Sequence, residues 1–146
     1  YGLQVLESQR CLVQRCNLTR NRYDAITLQI TMYCKLNSNI VEGGTQTGMR
    51  VDNSNHTAIH NNTIRNMVVG MYITYSFTCD IRLNTLEHNS YSAIVIWSKS
   101  KNNEICENTI TYNNIGIEYD NFYFFNENNI HDNIFANNKR NFYYND

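Results

Sequence analysis

The sequence contains no proline in its 146 residues, so no site motif that requires one can operate in it. No apolar run approaches the roughly 18 residues of a membrane-spanning helix, and no secretory leader pattern is present. Neither sign of charge prevails, with 12 Lys and Arg against 13 Asp and Glu and a net charge of −1. That balance supplies no field to gather nucleic acid or an anionic membrane, and neither is expected as a partner. No two cysteines are spaced C-x-x-C, which argues against a structural zinc site. Five cysteines is an odd number, so at least one thiol is unpaired within the chain.

Asparagine and tyrosine are abundant instead, at 25 and 11 residues. Asparagine at this frequency outside low-complexity sequence indicates turns, because it tolerates left-handed conformations and bonds its own backbone. The turns are periodic. Gly2-Leu3, Ala25-Ile26, Gly48-Met49, Gly70-Met71, Ala93-Ile94 and Gly116-Ile117 open six copies of one pattern, at intervals of 23, 23, 22, 23 and 23 residues, and a seventh opens near Asn141-Phe142. A fixed short period marks a solenoid, whose units bury their apolar faces only by stacking on one another. The first residues already belong to a repeat. We therefore read residues 1–146 as a single domain, a processed chain or a fragment of a longer solenoid.

Aligned in columns, the copies show three short strands each. After the opening small residue come Leu3, Ile26, Met49, Met71, Ile94 and Ile117, and two positions on Val5, Leu28, Val51, Ile73, Ile96 and Tyr119. This is the period of a strand with one buried face. A small hydroxyl column follows, at Ser8, Thr31, Ser54, Ser76 and Ser100. A second strand centres on Val13, Leu36, Ile59, Ile81, Ile105 and Ile130, and a third on Leu18, Val41, Ile64, Leu86, Ile110 and Phe135. Asn39, Asn62, Asn84, Asn108 and Asn133, with Cys16 in the first copy, occupy the turn between them. A further turn column reads Asn21, Gly44, Met67, Asn89, Asn113 and Asn138. The segments are too short for helices, and the units too short for β-α-β crossovers. The remaining solution is an all-β coil whose strands pair in parallel with the next coil, at about 4.8 Å per coil. Inward asparagines stacked at that spacing can satisfy each other's amides.

The motif running from Asn108 to Ile117, N-x-I-x-x-N-x-x-G-I, resembles the repeats of right-handed parallel β-helix proteins of the NosD-like and the carbohydrate-binding and sugar-hydrolase (pectate-lyase-like) families. The resemblance covers essentially the whole chain and implies a single-stranded right-handed parallel β-helix of about six coils. It implies little about activity, because those families include lyases, epimerases, hydrolases, binding modules and scaffolds. No capping helix shields either end, so end-to-end or side-by-side self-association is an expectation.

Outward residues of the first strand form the most suggestive face. Its columns read Gln4, Thr27, Arg50, Tyr72, Val95, Glu118 and Leu6, Gln29, Asp52, Thr74, Trp97, Asp120. Flat aromatics beside carboxylates and an arginine suit a sugar, whose C–H face stacks on a ring while its hydroxyls bond charged groups. Trp97, Tyr72, Arg50, Asp52, Glu118 and Asp120 are the expected substrate-binding residues, with polysaccharide the expected partner. Glu118 and Asp120, about 7 Å apart along one strand, have the spacing of an inverting carboxylate pair, and Asp52 is a further acidic candidate. The pectin-hydrolase motifs Asn-Thr-Asp, Asp-Asp, Gly-His-Gly and Arg-Ile-Lys are absent, and the epimerase motif Asp-Pro-His-Asp is excluded by the missing proline. A lyase would bring Ca2+ to neutralise the uronate; otherwise no cofactor is expected. These absences weigh against an enzyme confined to this chain, so the second reading is a polysaccharide lyase, epimerase or hydrolase whose catalytic groups lie partly outside it. A rigid scaffold is the third reading.

The second strand carries His60, Arg82, Cys106 and His131 in one outward column and Lys35, Asp80 and Glu104 in the other. Asp80 and Arg82 are expected to pair with Glu104 across coils, within a solvated charged face. Copper delivery, implied by the NosD resemblance, calls for clustered Met, His or Cys. The columns show no such cluster, and no metal site is expected. Cys11, Cys34 and Cys79 share a turn column with Thr57, Asn103 and Asn128. They read as a ladder of small buried thiols, although Cys11 and Cys34 stand in disulfide range. Cys106 is the expected reactive thiol. Finally, Phe122, Tyr123, Phe124 and Phe125 break the template and are expected to overhang the Trp97 face or cover a contact between copies. Secretion or surface display is the favoured compartment.

Overall fold

The computed structural model describes residues 1–97, 99–120 and 127–145, with the side chains of Asp120 and Asn145 outside that description. Coil one holds β1 (Leu3–Leu6), β2 (Leu12–Gln14) and β3 (Asn17–Thr19). Coil two holds β4 (Ile26–Gln29), β5 (Lys35–Asn37) and β6 (Ile40–Glu42), and coil three β7 (Thr47–Asp52), β8 (Ala58–His60) and β9 (Thr63–Arg65). Coil four holds β10 (Val69–Thr74), β11 (Asp80–Arg82) and β12 (Thr85–Glu87), and coil five β13 (Ser92–Trp97), β14 (Glu104–Cys106) and β15 (Thr109–Thr111). Coil six holds β16 (Ile115–Asp120), β17 (Asn129–His131) and β18 (Ile134–Ala136), and β19 (Arg140–Asn145) opens a seventh. No helix occurs among the described residues.

Strands of like position pair in parallel from coil to coil and make three sheets. The first runs β1-β4-β7-β10-β13-β16-β19, the second β2 to β17 and the third β3 to β18. The register joins residues one repeat apart, as in Ile26↔Met49, Met71↔Ile94 and Ile81↔Ile105. Each sequence column is therefore a physical ladder, and the chain is a parallel β-helix. Side chains alternate strictly at β2, β5, β8 and their successors, so the central residue of each three-residue strand points in. Leu36, Ile59, Ile81 and Ile105 are fully buried there, as are Val41, Ile64, Leu86 and Ile110 in the third sheet.

Polar ladders close the turns. Asn62 Oδ1 accepts from the Asn39 backbone N–H at 2.9 Å and from its Nδ2 at 3.0 Å, and Asn62 Nδ2 donates to the Leu36 carbonyl at 2.9 Å. The same three bonds recur at Asn84 and Asn108. In the hydroxyl column Ser54 Oγ accepts from the Thr31 N–H and Ser76 Oγ from the Ser54 N–H, both at 3.0 Å. Buried turns are tolerated because the ladder asparagines and Ser54 and Ser76 find partners in their own or the next coil, the Thr31 hydroxyl being the unpartnered member of its column.

The left-handed turn positions fall elsewhere. Among the described residues, twenty-one non-glycine residues have positive φ, and of these Asn53, Asn61, Asn66, Asn102 and Asn137 are the asparagines. Arg15, Ser38, Asn61, Leu83, Glu107 and Asp132 form one such column, immediately before the asparagine ladder. The asparagine content thus serves mainly the inward ladders, and the left-handed positions accept almost any exposed side chain.

Candidate functional site

On the first sheet, the columns of the sequence stand side by side, Arg50 opposite Tyr72 and Thr74 opposite Trp97. The Arg50 guanidinium lies 4.6 Å from the Tyr72 ring centroid, and the Tyr72 and Trp97 rings stack at 6.4 Å and 28°. Three consecutive coils thus contribute one continuous cation–ring–ring stack. Arg50 Nε donates to Asp24 Oδ2 at 2.7 Å, and Asp24 Oδ1 accepts from the Thr47 N–H. Asp52 sits half-buried and accepts from Gln29 Nε2 at 3.3 Å.

Tyr72 has Arg50 on one side and Trp97 on the other, so its ring spaces the stack and offers no free face. Trp97 is half-buried and is the ring of the stack left unbracketed among the described residues. Glu118, expected on an open face, is 3% exposed and accepts from Ser92 Oγ at 2.6 Å and Tyr91 Oη at 3.2 Å. It is an outward residue held under Ser92 and Tyr91, and Val95, also outward, is 2% exposed. Asp120 ends β16, and its side chain lies outside the described residues, as does the whole run Phe122–Phe125.

Asp24 was not singled out from the sequence. Its role repeats: Asp24 reaches Arg50, and Ser92 reaches Glu118, each 26 residues ahead. The residue just before each opening small residue can hold the outward side chain of the next coil. The signal available in the sequence was the polar pair Asp24 and Ser92 in a column that otherwise reads Tyr1, Thr47, Val69 and Ile115.

On the second sheet, the outward residues of β8, β11, β14 and β17 form a polar ridge. Asp80 pairs within its own strand, Arg82 Nε donating to Oδ1 at 2.7 Å, and His60 Nε2 stands 3.0 Å from its other oxygen. Burial works to raise the Asp80 carboxyl, but Arg82 and His60 outweigh it and hold the group below the ordinary aspartate value. The expected pairing with Glu104 across coils does not form. Glu104 instead accepts from Asn129 Nδ2 at 3.0 Å and meets His131 Nε2. Hydrogen bonding to His131 and Asn129 holds the Glu104 carboxyl low, and the same bond to Glu104, with Asp132 beside it, holds the His131 imidazole above its ordinary value.

Cys106 lies opposite both Arg82 and His131 in the register. It faces outward as expected but is only 4% exposed, and desolvation raises its thiol above the ordinary cysteine value. An exposed reactive thiolate is therefore corrected to a shielded thiol. The other four cysteines are also free thiols. Cys34 and Cys79 are buried to 1% in the expected turn ladder, and burial pushes Cys79 up to about 11.

One donor each from Glu104, Cys106 and His131 can be chosen so that all lie within 4.8 Å of one another. The sequence columns hid this grouping because Glu104 lies in one outward column and Cys106 and His131 in the other; i and i+2 on one strand meet a residue of the next coil. A sulfur, an imidazole nitrogen and a carboxylate oxygen form a donor set that suits copper or zinc.

The chain belongs to the NosD family: a family model described as "Periplasmic copper-binding protein (NosD)" matches residues 1–146. The family's periplasmic description agrees, at that coarse level, with the secreted or surface expectation. No curated protein matches the chain.

Proposed function

We propose, with membership of that family as the premise, that this chain is a rigid β-helix module that holds a polysaccharide on its first-sheet face. The observation that carries this reading is the Arg50–Tyr72–Trp97 stack. Its order is set by covalent repeats and sheet register, so less side-chain freedom is lost when a ligand settles on the Trp97 ring. Trp97 is the platform, Tyr72 its support, and Asp52, Gln29 and the Arg50 edge the hydroxyl-binding groups. Glu118 is a structural acceptor here, which favours binding over hydrolysis: a carboxylate sealed by Ser92 and Tyr91 cannot reach a glycosidic bond.

The test is a polysaccharide array with the native chain and Trp97→Ala. Retention that drops at least about tenfold in the variant, with Tyr72→Ala giving a smaller loss, supports the reading. Retention unchanged in Trp97→Ala overturns it, and no retention at all moves the weight to a spacer role.

A second reading is favoured by a separate observation. The family description names copper, and the Glu104–Cys106–His131 trio supplies donors of fitting chemistry on the second sheet. Copper bound there would serve as cargo or as a bridge on a rigid support, held by this chain's own residues.

A further inference from the structure

We propose that Glu104, Cys106 and His131 form a binding site for a single late first-row transition-metal ion, on the outer surface of the second sheet. The proposal deepens the copper reading and rests on it only for the choice of metal.

Backbone register brings the three residues together. Cys106 and His131 are direct partners in adjacent parallel strands, and Glu104 precedes Cys106 by two residues on the same face. Three donors of three chemistries are thus carried by two rigid strands and by no loop. Their ligand atoms lie within 4.8 Å of one another. A tetrahedral ion with ligand bonds of 2.0–2.3 Å needs donors about 3.3–3.8 Å apart, so a side-chain adjustment of about an ångström closes the site. The half-buried Glu104 and exposed His131 have the freedom to make it; Cys106 is fixed by its burial.

The orientation of His131 is the second observation. Its Nδ1 lies 2.8 Å from Asp132 Oδ2, while Nε2 turns to Glu104. A carboxylate on one imidazole nitrogen with the other aimed into a donor cluster is the arrangement that supports metal-bound histidines. Arg82, which opposes Cys106 in register, is bonded to Asp80 through two nitrogens, so its charge is largely answered outside the site. Thiolate and imidazole donors select copper, zinc or cobalt over calcium or magnesium, and copper is the strongest binder in that series. Of the three side chains, His131 and Glu104 are the ones that reach solvent.

The experiment is an anaerobic titration of the metal-free 146-residue chain with Co2+, read as a thiolate-to-cobalt charge-transfer band in the near ultraviolet. One equivalent should saturate it, and Zn2+ and then Cu2+ should displace it. Cys106→Ser should abolish the band, and His131→Asn and Glu104→Gln should each weaken Co2+ at least about tenfold. Cys16→Ser, which alters a thiol elsewhere, should leave it intact. Circular dichroism of each variant checks that the β-helix is retained. Co2+ binding that survives in Cys106→Ser, or saturates without the charge-transfer band, overturns the site. Cu2+ bound equally by native chain and Cys106→Ser overturns the site while keeping the copper reading, since the copper then sits elsewhere. Displacement by Zn2+ but not by Cu2+ keeps the site and removes the copper reading. No binding by any of the three ions overturns both.

Discussion

At Ile30 the backbone has φ of 54°, a left-handed conformation in which the Cβ of a β-branched residue crowds the following carbonyl. The side chain is 51% exposed and contributes little to the core. Ile30→Asn should therefore raise stability by about 1 kcal/mol, visible as a higher urea midpoint at unchanged slope; a lower midpoint would show that Ile30 packs more than its exposure implies. The thiols make a second residue-scale prediction. Cys34 and Cys79 are sealed and Cys79 is pushed to about 11, while Cys106 is shielded and raised. In denaturant all five thiols should react with a disulfide reagent. In the native protein near neutral pH, Cys16 should react ahead of Cys34, Cys79 and Cys106, as peptide mapping of a brief alkylation would show. Fast labelling of Cys106 would contradict the shielding. The sequence places Cys106 on the outer face correctly. It does not reveal the burial of Cys106, whose register partners Arg82 and His131 lie 24 and 25 positions away.

The asparagine ladder is the element on which the turns depend. Asn84 is fully buried, accepts from the Asn62 backbone and side chain, and donates to Ile59 and Asn108. Asn84→Ala strands the Asn62 N–H, the Ile59 carbonyl and part of Asn108 in a dry interior. A loss of about 3 kcal/mol is expected from denaturant unfolding, whereas an exposed left-handed neighbour such as Leu83→Asn should cost nothing. The β14–β17 pair carries a pH signature. His131 holds its proton more tightly when folded, so its contribution is complete below about pH 6.5 and is lost as pH rises through the raised folded value. Glu104 is held low, so its contribution is present above about pH 4.3 and is lost as pH falls through the depressed folded value. The gap in urea midpoint between the native chain and His131→Gln should be wider near pH 5.5 than near pH 8.5; equal gaps would mean the pair adds nothing in solution. The ladder was legible as a column because each member plays the same role. The Glu104–Cys106–His131 trio was not, because Glu104 stands in a different column from Cys106 and His131 and meets them only through strand register.

At the scale of the whole molecule, the strand centres were readable because every coil solves the same burial problem with the same residues. Val13, Leu36, Ile59, Ile81 and Ile105 mark the middle of β2, β5, β8, β11 and β14 without exception. The first-sheet face was read less well. Glu118, bonded by Tyr91 and Ser92, and Val95 obey the outward period yet are buried, and period alone cannot register that. The repeat also makes the fold divisible. Each coil bonds only to the coils before and after it, so stability is close to a sum over nearest-neighbour interfaces. Deleting residues 48–69 joins Thr47 to Gly70, and Thr47 is the register partner of Val69, the residue that normally precedes Gly70. The joint would restore Leu28 against Ile73, Asn39 against Asn84 and Cys34 against Cys79 at the native interval. This shortened chain should keep its β circular dichroism and unfold cooperatively, with a denaturant slope lower by about one sixth. Deleting only residues 48–58, half a coil, would set inward residues of one sheet against turn residues of the next and should leave no cooperative transition. If both deletions unfold alike, the coil is not the unit of stability; if the half-coil deletion folds as well as the full one, the asparagine and hydroxyl ladders do not set the register.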